Sequence, residues 1–273
     1  MDYADLHIHT FYSDSSYSPQ EVVDKAKEAG LKCIAVTDHD TVEGLPPTLL
    51  AAKSCSIEIV SGIELSCEFK ERDIHILGYA FDAENKEFLS HLESIQTSRV
   101  KRMEEMVKKL HGFGMRKITL EEVLASAKGK SVGRPHLAAL MVARGYVPNM
   151  RKAFDKYLAD DGPIYVGKYK QTPAEAIQLI RKMGGVSVLA HPMITQVDEL
   201  ISAFVENGLD GLEAYYPNTP AVITEHYVHL AGKHGLLATG GSDAHGGFKP
   251  STFIGKVKIP YALVEEIKSR ARR

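Results

Sequence analysis

The chain has 273 residues, 44% hydrophobic and 25% charged, enough apolar material for one large α/β domain or two smaller ones. A net charge of −2 provides no global basic field, so generic adhesion to nucleic acid or membrane surfaces is not the default, although a local basic patch stays open. Three cysteines without a CxxC pair, no apolar run of membrane-spanning length and an N-terminus MDYADLHIH without a charged n-region point to a soluble, cytoplasmic protein with reduced thiols.

The first predicted strand is YADLHIH (3–9), which sets Asp5, His7 and His9 at alternate positions. A helix follows, opened by SPQE (18–21) with an N-cap hydroxyl, proline at N1 and glutamate at N3, and stopped near Gly30. Strands are predicted next at CIAVTDH (33–39), IEIVSGIEL (57–65) and DIHILGYAF (73–81). Several are near-continuous apolar runs, the pattern of parallel strands covered on both faces.

Between residues 84 and 165 this rhythm breaks. Phe88, Leu92, Ile95, Met103, Met106, Val107 and Leu110 recur at roughly helical spacing up to Gly112. TLEEVLASA (119–127) opens with a capping box, RPHLAALMVARG (134–145) has proline in its first turn and a glycine stop, and NMRKAFDKYLAD (149–160) is amphipathic. Residues 84–165 are read as an inserted helical subdomain over one end of an α/β core made of 1–83 and 166–273. Beyond it, TPAE (172–175) opens a helix stopped at Gly184 and Gly185, and strands are predicted at GVSVLAH (185–191), GLEAYY (211–216) and LLATGGSD (236–243). Seven or so βα units suggest a barrel or a doubly wound sheet.

Side chains at i, i+2 and i+4 of a strand share a face, so Asp5, His7 and His9 project together near the end of the first strand. In an α/β barrel that end carries the active site. A lone HxH is explained as well by two satisfied histidines as by a metal site. The rest of the chain alters the balance: Asp38 and His39, Glu64, His75, His191, and Asp243 with His245 fall at or near the ends of almost every predicted strand. Imidazole nitrogen and carboxylate oxygen without sulfur suit Zn, Mn or Fe(II), and the ligands are too many for one ion. Two or three ions close together are the economical reading, and such sites clamp the attacking and leaving oxygens of an in-line phosphoryl displacement. Asp14, five residues after His9, could complete the shell of a second ion.

In this order, DLHIHTFYSD, VTDHD, GIELS, HILG, AHP and GSDAH resemble the motifs of the polymerase and histidinol phosphatase (PHP) family of metal-dependent phosphoesterases, from residue 3 to about residue 250. The resemblance implies an α/β fold, a distorted (β/α)7 TIM-like barrel with a trinuclear metal site at the strand C-termini. His7, His9, Glu64 and Asp243 then resemble the ligands of a first metal, and Asp14, His39 and His245 those of a second. Glu64 would bridge to a third metal held by His75 and His191, with Asp5 and Asp38 orienting ligands from behind. Aspartate at position 14, where some members carry histidine, resembles the nucleotide-phosphatase branch.

SVGRPHLA also resembles a segment that the nucleotide- and RNA-directed enzymes place over the metals. Arg134 and His136 sit at a helix start, where free N–H groups favour an anion, and arginine adds bidentate recognition of phosphate. Lys168 in YVGKYK (165–170) could approach the same anion, and His226, on the helix after the YYPNTP loop, could touch substrate from the rim. Glu213 ends a strand in the same layer and is read as an orienting acid. His91, His111, His229 and His234 are read as surface or half-buried positions, HGFG lacks a third glycine, and Ser66 and Cys67 lack a triad arrangement.

The implied reaction is hydrolysis of a nucleotide phosphate ester by in-line attack of a metal-bridging hydroxide, with Asp243, His191 and His245 as the catalytic candidates. The substrate would be a 3′,5′-nucleoside bisphosphate, a nucleoside monophosphate or a short RNA trimmed 5′ to 3′. No membrane and no obligate protein partner is expected. Histidinol phosphatase and cyclic phosphodiesterase are the alternatives within the class. An amidohydrolase acting on a C–N bond and a non-catalytic metal-binding module are the alternatives outside it.

Overall fold

The computed structural model describes residues 2–70, 72–159, 161–167 and 171–271. Strands β1 (Tyr3–Ile8), β2 (Cys33–Val36), β3 (Glu58–Phe69), β4 (Arg72–Tyr79), β5 (Val186–Leu189), β6 (Gly211–Tyr215), β7 (Leu237–Gly240) and the two-residue β8 (Ile259–Pro260) form one sheet in the order 7-6-5-4-3-2-1-8. A parallel bridge between Ile8 and Ala244, and a hydrogen bond from His9 N to Ala244 O at 3.1 Å, bring β1 against the segment after β7 and nearly close the sheet into a barrel. Gly241 permits this approach, because a Cβ there would stand 2.3 Å from the His7 backbone nitrogen.

Among the described residues, eleven α-helices accompany this sheet, with α3 to α6 between β4 and α7: α1 (Pro19–Glu28), α2 (Leu45–Ala52), α3 (Lys86–Gly112), α4 (Leu120–Ser126), α5 (Arg134–Ala143), α6 (Met150–Ala153), α7 (Pro173–Lys182), α8 (Pro192–Thr195), α9 (Ile201–Glu206), α10 (Ala221–Lys233) and α11 (Tyr261–Ala271). The starts of α1, α4 and α7 carry the capping boxes expected of SPQE, TLEE and TPAE: Ser18, Thr119 and Thr172 accept from the backbone N–H of Glu21, Glu122 and Glu175, whose carboxylates accept in return.

The sheet is mixed where the apolar runs suggested parallel strands. β3 and β4 pair antiparallel in register from Gly62–Tyr79 to Phe69–Arg72, and β4 pairs antiparallel with β5. Residues 70–71 are far too short for the crossover that a parallel pair requires, so the chain turns back as a hairpin. The return from β4 to β5 is made by the helical stretch from α3 to α7.

Two cores meet along α3. Phe88 and Leu92 at its start pack with Ile63, Ile76, Ile177 and Leu212 of the barrel side. Met103, Met106, Val107 and Leu110 pack with Val123, Leu137, Met141 and Ile164 in a separate cluster. Between them, Arg99 donates to the buried Asp40 through Nε at 2.8 Å and through Nη2, and its Nη1 donates to Val132 O at 3.2 Å. The helical segment is therefore held against the strand-end side of the barrel, where Asp40 follows β2. After α6 the helix widens into a π turn, Phe154–Leu158, a geometry often associated with functional sites.

Candidate metal centre

His7 and His9 are fully buried at the end of β1, with both Nε2 atoms turned to the same place. Glu64 of β3 stands at the centre. Its Oε2 lies 3.1 Å from His7 Nε2, 3.2 Å from His9 Nε2 and 3.4 Å from His39 Nδ1. Its Oε1 lies 2.8 Å from His75 Nδ1 and 3.0 Å from His191 Nε2. Asp243 Oδ1 reaches His9 Nε2 at 3.1 Å and His7 Nε2 at 3.4 Å. Asp14 faces His245 Nε2 at 3.4 Å, His9 Nδ1 at 3.7 Å and His39 Nε2 at 3.8 Å.

Nine side chains from seven separate stretches thus share one pit. Three groups bring their ligand atoms within 4.8 Å of one another: His7, His9, Glu64 and Asp243; His9, Asp14, His39 and His245; and His39, Glu64 and His75. The first group has the composition expected for the first metal. The second adds His9 to the expected trio, and the third exchanges His191 for His39, with His191 remaining in contact with Glu64.

The donor set fits cations better than it fits itself. Both ring nitrogens of His9, His39 Nδ1, His191 Nδ1 and Asp14 Oδ1 are buried without hydrogen-bond geometry to any described partner. Each such orphan costs on the order of 1–3 kcal/mol unless something else takes its lone pair. Burial opposes charge on Glu64, yet the imidazoles that surround it hold its carboxyl well below the usual range. Burial likewise opposes charge on Asp243, and His7 and His245 overcome it. Burial pushes His39 down to about 3, which leaves its imidazole neutral with a lone pair to donate. Against burial, Asp243 and Glu64 push His9 up to about 10, and Asp73 and Glu64 push His75 up to about 9, so a divalent ion taking these nitrogens would displace their protons and pair with carboxylates already ionised.

A surrounding layer orients these groups. Glu213 Oε1 lies 2.8 Å from His7 Nδ1, and Glu213 Oε2 accepts from His191 N at 2.8 Å. Asp38 accepts from Thr10 N, Thr10 Oγ1 and Ser13 Oγ at 2.6–2.7 Å, which folds the loop carrying Asp14. Asp5 accepts from Ser242 N and Gly255 N at 2.8 Å and so anchors the loop carrying Asp243. His191 (φ 30) and Asp243 (φ 48) adopt the left-handed region, a strain of about 1–3 kcal/mol each that this packing maintains.

Several participants were not singled out from sequence. Tyr216 OH donates to Asp243 Oδ2 at 2.6 Å, and Lys249 Nζ donates to the same oxygen at 2.5 Å. Asp73 Oδ1 lies 3.2 Å from His75 Nε2. The DIH spacing on β4 repeats the alternation of β1, and that signal could have found Asp73. Lys249 and Tyr216 carry no such signal.

The proposed phosphate ligands are placed unevenly. Arg134 opens α5, donates through Nη1 to Leu158 O at 2.9 Å, and has Nη2 3.7 Å from Asp73 Oδ2, one residue removed from the pit. His136 is buried, and its Nδ1 accepts from Gly133 N at 3.1 Å as part of the helix cap. That nitrogen is therefore taken by the protein's own helix cap. His226 departs from expectation: it is exposed, its Nε2 lies 2.7 Å from Asp198 Oδ2, and it lines a neighbouring hollow with Ile194 and Pro217 instead of the metal pit. Its position on the outer side of α10 turns it to the partner carboxylate. Lys168 lies outside the described residues.

A cavity of about 730 Å³ opens above the pit. The cluster forms its floor, and Pro135, Met150, Phe154, Phe248 and Pro250 contribute apolar walls. Among the described residues, no helix is long and apolar enough to cross a membrane.

A family model described as the PHP domain matches residues 5–160. The 3′,5′-nucleoside bisphosphate phosphatase of Chromobacterium violaceum is 30% identical over a stretch covering 88% of this chain and 86% of its own. The 5′-3′ exoribonuclease of Haemophilus influenzae is 35% identical, covering 77% of each. A solved structure from Bifidobacterium adolescentis, described as a metal-dependent phosphoesterase, superposes with a TM-score of 0.90 at 31% identity, covering 98% of this chain and 96% of that one.

Proposed function

Since this chain belongs to the PHP domain family, we infer that it is a metal-dependent phosphoesterase that hydrolyses phosphate esters of nucleotides. The observation that carries this reading is the position of Glu64, whose two oxygens face five histidines at 2.8–3.4 Å in a pit lined by two further carboxylates. A carboxylate so placed could serve two neighbouring cations, and paired cations would suit phosphoryl displacement.

His7, His9, Glu64 and Asp243 would hold one ion, Asp14, His39 and His245 a second, and Glu64 with His75 and His191 a third. Nitrogen and oxygen donors without sulfur suit Mn, Zn or Fe. When bound, such ions supply charge neutralisation at the phosphoryl oxygens and a water made nucleophilic near neutral pH.

The chain's own residues do the rest by position. Glu213 Oε1 pairs with His7 Nδ1 and so leaves Nε2 to face the pit. Tyr216 and Lys249 occupy Asp243 Oδ2, so that Oδ1 faces His7 and His9. Arg134, held beside Asp73, offers a guanidinium for the phosphate as it enters from the cavity. Asp243, His191 and His245 stand at the cavity floor, where a proton for the leaving oxygen is needed.

The decisive test is manganese-dependent release of phosphate or nucleotide from adenosine 3′,5′-bisphosphate, adenosine monophosphate, histidinol phosphate and a short 5′-phosphorylated RNA, each with a chelator control. Turnover of a nucleotide substrate that chelation abolishes is expected. Silence across all four from folded, metal-loaded protein would overturn the reading.

A further inference from the structure

We infer that the cavity above the metal pit is a two-jawed nucleobase slot, with Phe154 from the helical segment as one jaw and Phe248 from the loop after β7 as the other. The inference rests on the phosphoesterase reading and specifies which part of the substrate the walls recognise.

A phosphoryl group occupies a small part of a cavity of about 730 Å³, a size in the range of sites that enclose a nucleoside-sized ligand. The floor is densely polar. The walls are not: Pro135 of α5, Met150 of α6, Phe154 of the π turn after it and Phe248 of the turn after β7 line the same space. A substrate that fills this site needs a phosphate at one end and a flat, apolar-faced group at the other.

Both rings are half-buried and backed by the protein. The Arg134 guanidinium lies 5.8 Å from the Phe154 ring centre, and Phe248 meets the His136 ring edge-on at 6.4 Å between centres. Arg134, the proposed phosphate contact, therefore backs one jaw, and His136, held in the cap of α5, backs the other. Phe154 begins the π turn and Phe248 ends a short 3-10 turn, Gly246–Phe248, so each ring sits on a tightly wound piece of backbone instead of a long loop. The polar side chains at the rim are Asn149, Arg151, Lys249 and Ser251, two of them cations better suited to phosphate than to a base edge. Every base has a π face, so stacking of this kind tolerates base identity.

The test uses the full chain loaded with manganese, as wild type, Phe154→Ala and Phe248→Ala, with far-UV circular dichroism to verify folding. Adenosine 5′-monophosphate, cytidine 5′-monophosphate, ribose 5-phosphate and histidinol phosphate are the substrates. Loss of one stacking face should raise KM for both nucleotides about tenfold or more in each variant and leave ribose 5-phosphate unchanged. Phe248→Tyr, which keeps the π face, should return the nucleotide KM to near the wild-type value. Equal shifts for nucleotides and ribose 5-phosphate, or no shift for either, would overturn the slot, as would a wild-type preference for histidinol phosphate over both nucleotides. If wild type releases phosphate from none of the four, turnover of adenosine 3′,5′-bisphosphate and of a short 5′-phosphorylated RNA decides the phosphoesterase reading separately. Calorimetric binding of adenosine 5′-monophosphate then decides the slot: about tenfold weaker binding in the alanine variants supports it, and unchanged or undetectable binding across wild type and variants overturns it.

Discussion

Glu213 and His7, 206 positions apart in the chain, meet with Oε1 2.8 Å from Nδ1, and neither side chain has measurable exposure. The other oxygen of Glu213 accepts from the His191 backbone N–H, so one carboxylate positions two members of the pit. Burying a carboxyl group is costly without such hydrogen-bond partners, which makes its role as an orienting group the economical one.

Glu213→Gln should therefore keep the shape and lose the orientation. Metal affinity is expected to fall about 10- to 100-fold, the usual effect of removing an outer partner of a ligating histidine. Competition against a chromogenic chelator measures this. An unchanged affinity would mean that His7 is held without Glu213.

Metal loading should stabilise the fold because the pit binds cations only when assembled. At free metal about 100 times the dissociation constant, linkage contributes about 2.7 kcal/mol, or a rise in Tm of about 5–10 °C for a chain of this size. Asp243→Ala and His9→Ala should each abolish turnover and most of that rise, with circular dichroism unchanged. Wild-type activity in either variant would remove the cluster from the chemistry.

The clamp between Arg99 and Asp40 joins the helical segment to the barrel, and Asp40 is fully buried. Removing one partner leaves an uncompensated charge inside, so Arg99→Ala should cost about 3–5 kcal/mol. Chemical denaturation followed by circular dichroism tests the value. A loss below about 1 kcal/mol would show that the two cores hold together along α3 without the ion pair.

Arg134→Ala should mainly raise KM, by about tenfold or more, because a charge-assisted hydrogen bond to phosphate is present in both ground and transition states. Steady-state kinetics on adenosine monophosphate separates KM from kcat. If neither changes, Arg134 is a structural partner of Asp73 and Leu158 and nothing more.

Much of the pit was readable because strands have period two. Asp5, His7 and His9 alternate on β1, and the later motifs end strands at the same level, so local geometry alone places them on one rim. The caps at Ser18, Thr119 and Thr172 are equally local: a hydroxyl and a glutamate three residues on satisfy one another whatever the remainder of the chain does. The reversal of β3, β4 and β5 was less visible, because a fully buried antiparallel strand has the same apolar run as a parallel one.

The sequence by itself determined which donor types are present, their spacing along each strand and the starts of the principal helices, since these depend on neighbours within a few residues. Only the tertiary structure decided that Glu64 stands at the hub, that Lys249 and Tyr216 share an oxygen of Asp243, that Phe154 and Phe248 face one cavity, and that His226 turns to Asp198. Those relations join residues up to 127 positions apart from Glu64 alone. Chain closure into a barrel creates them, and no local pattern encodes which side chains will meet across it.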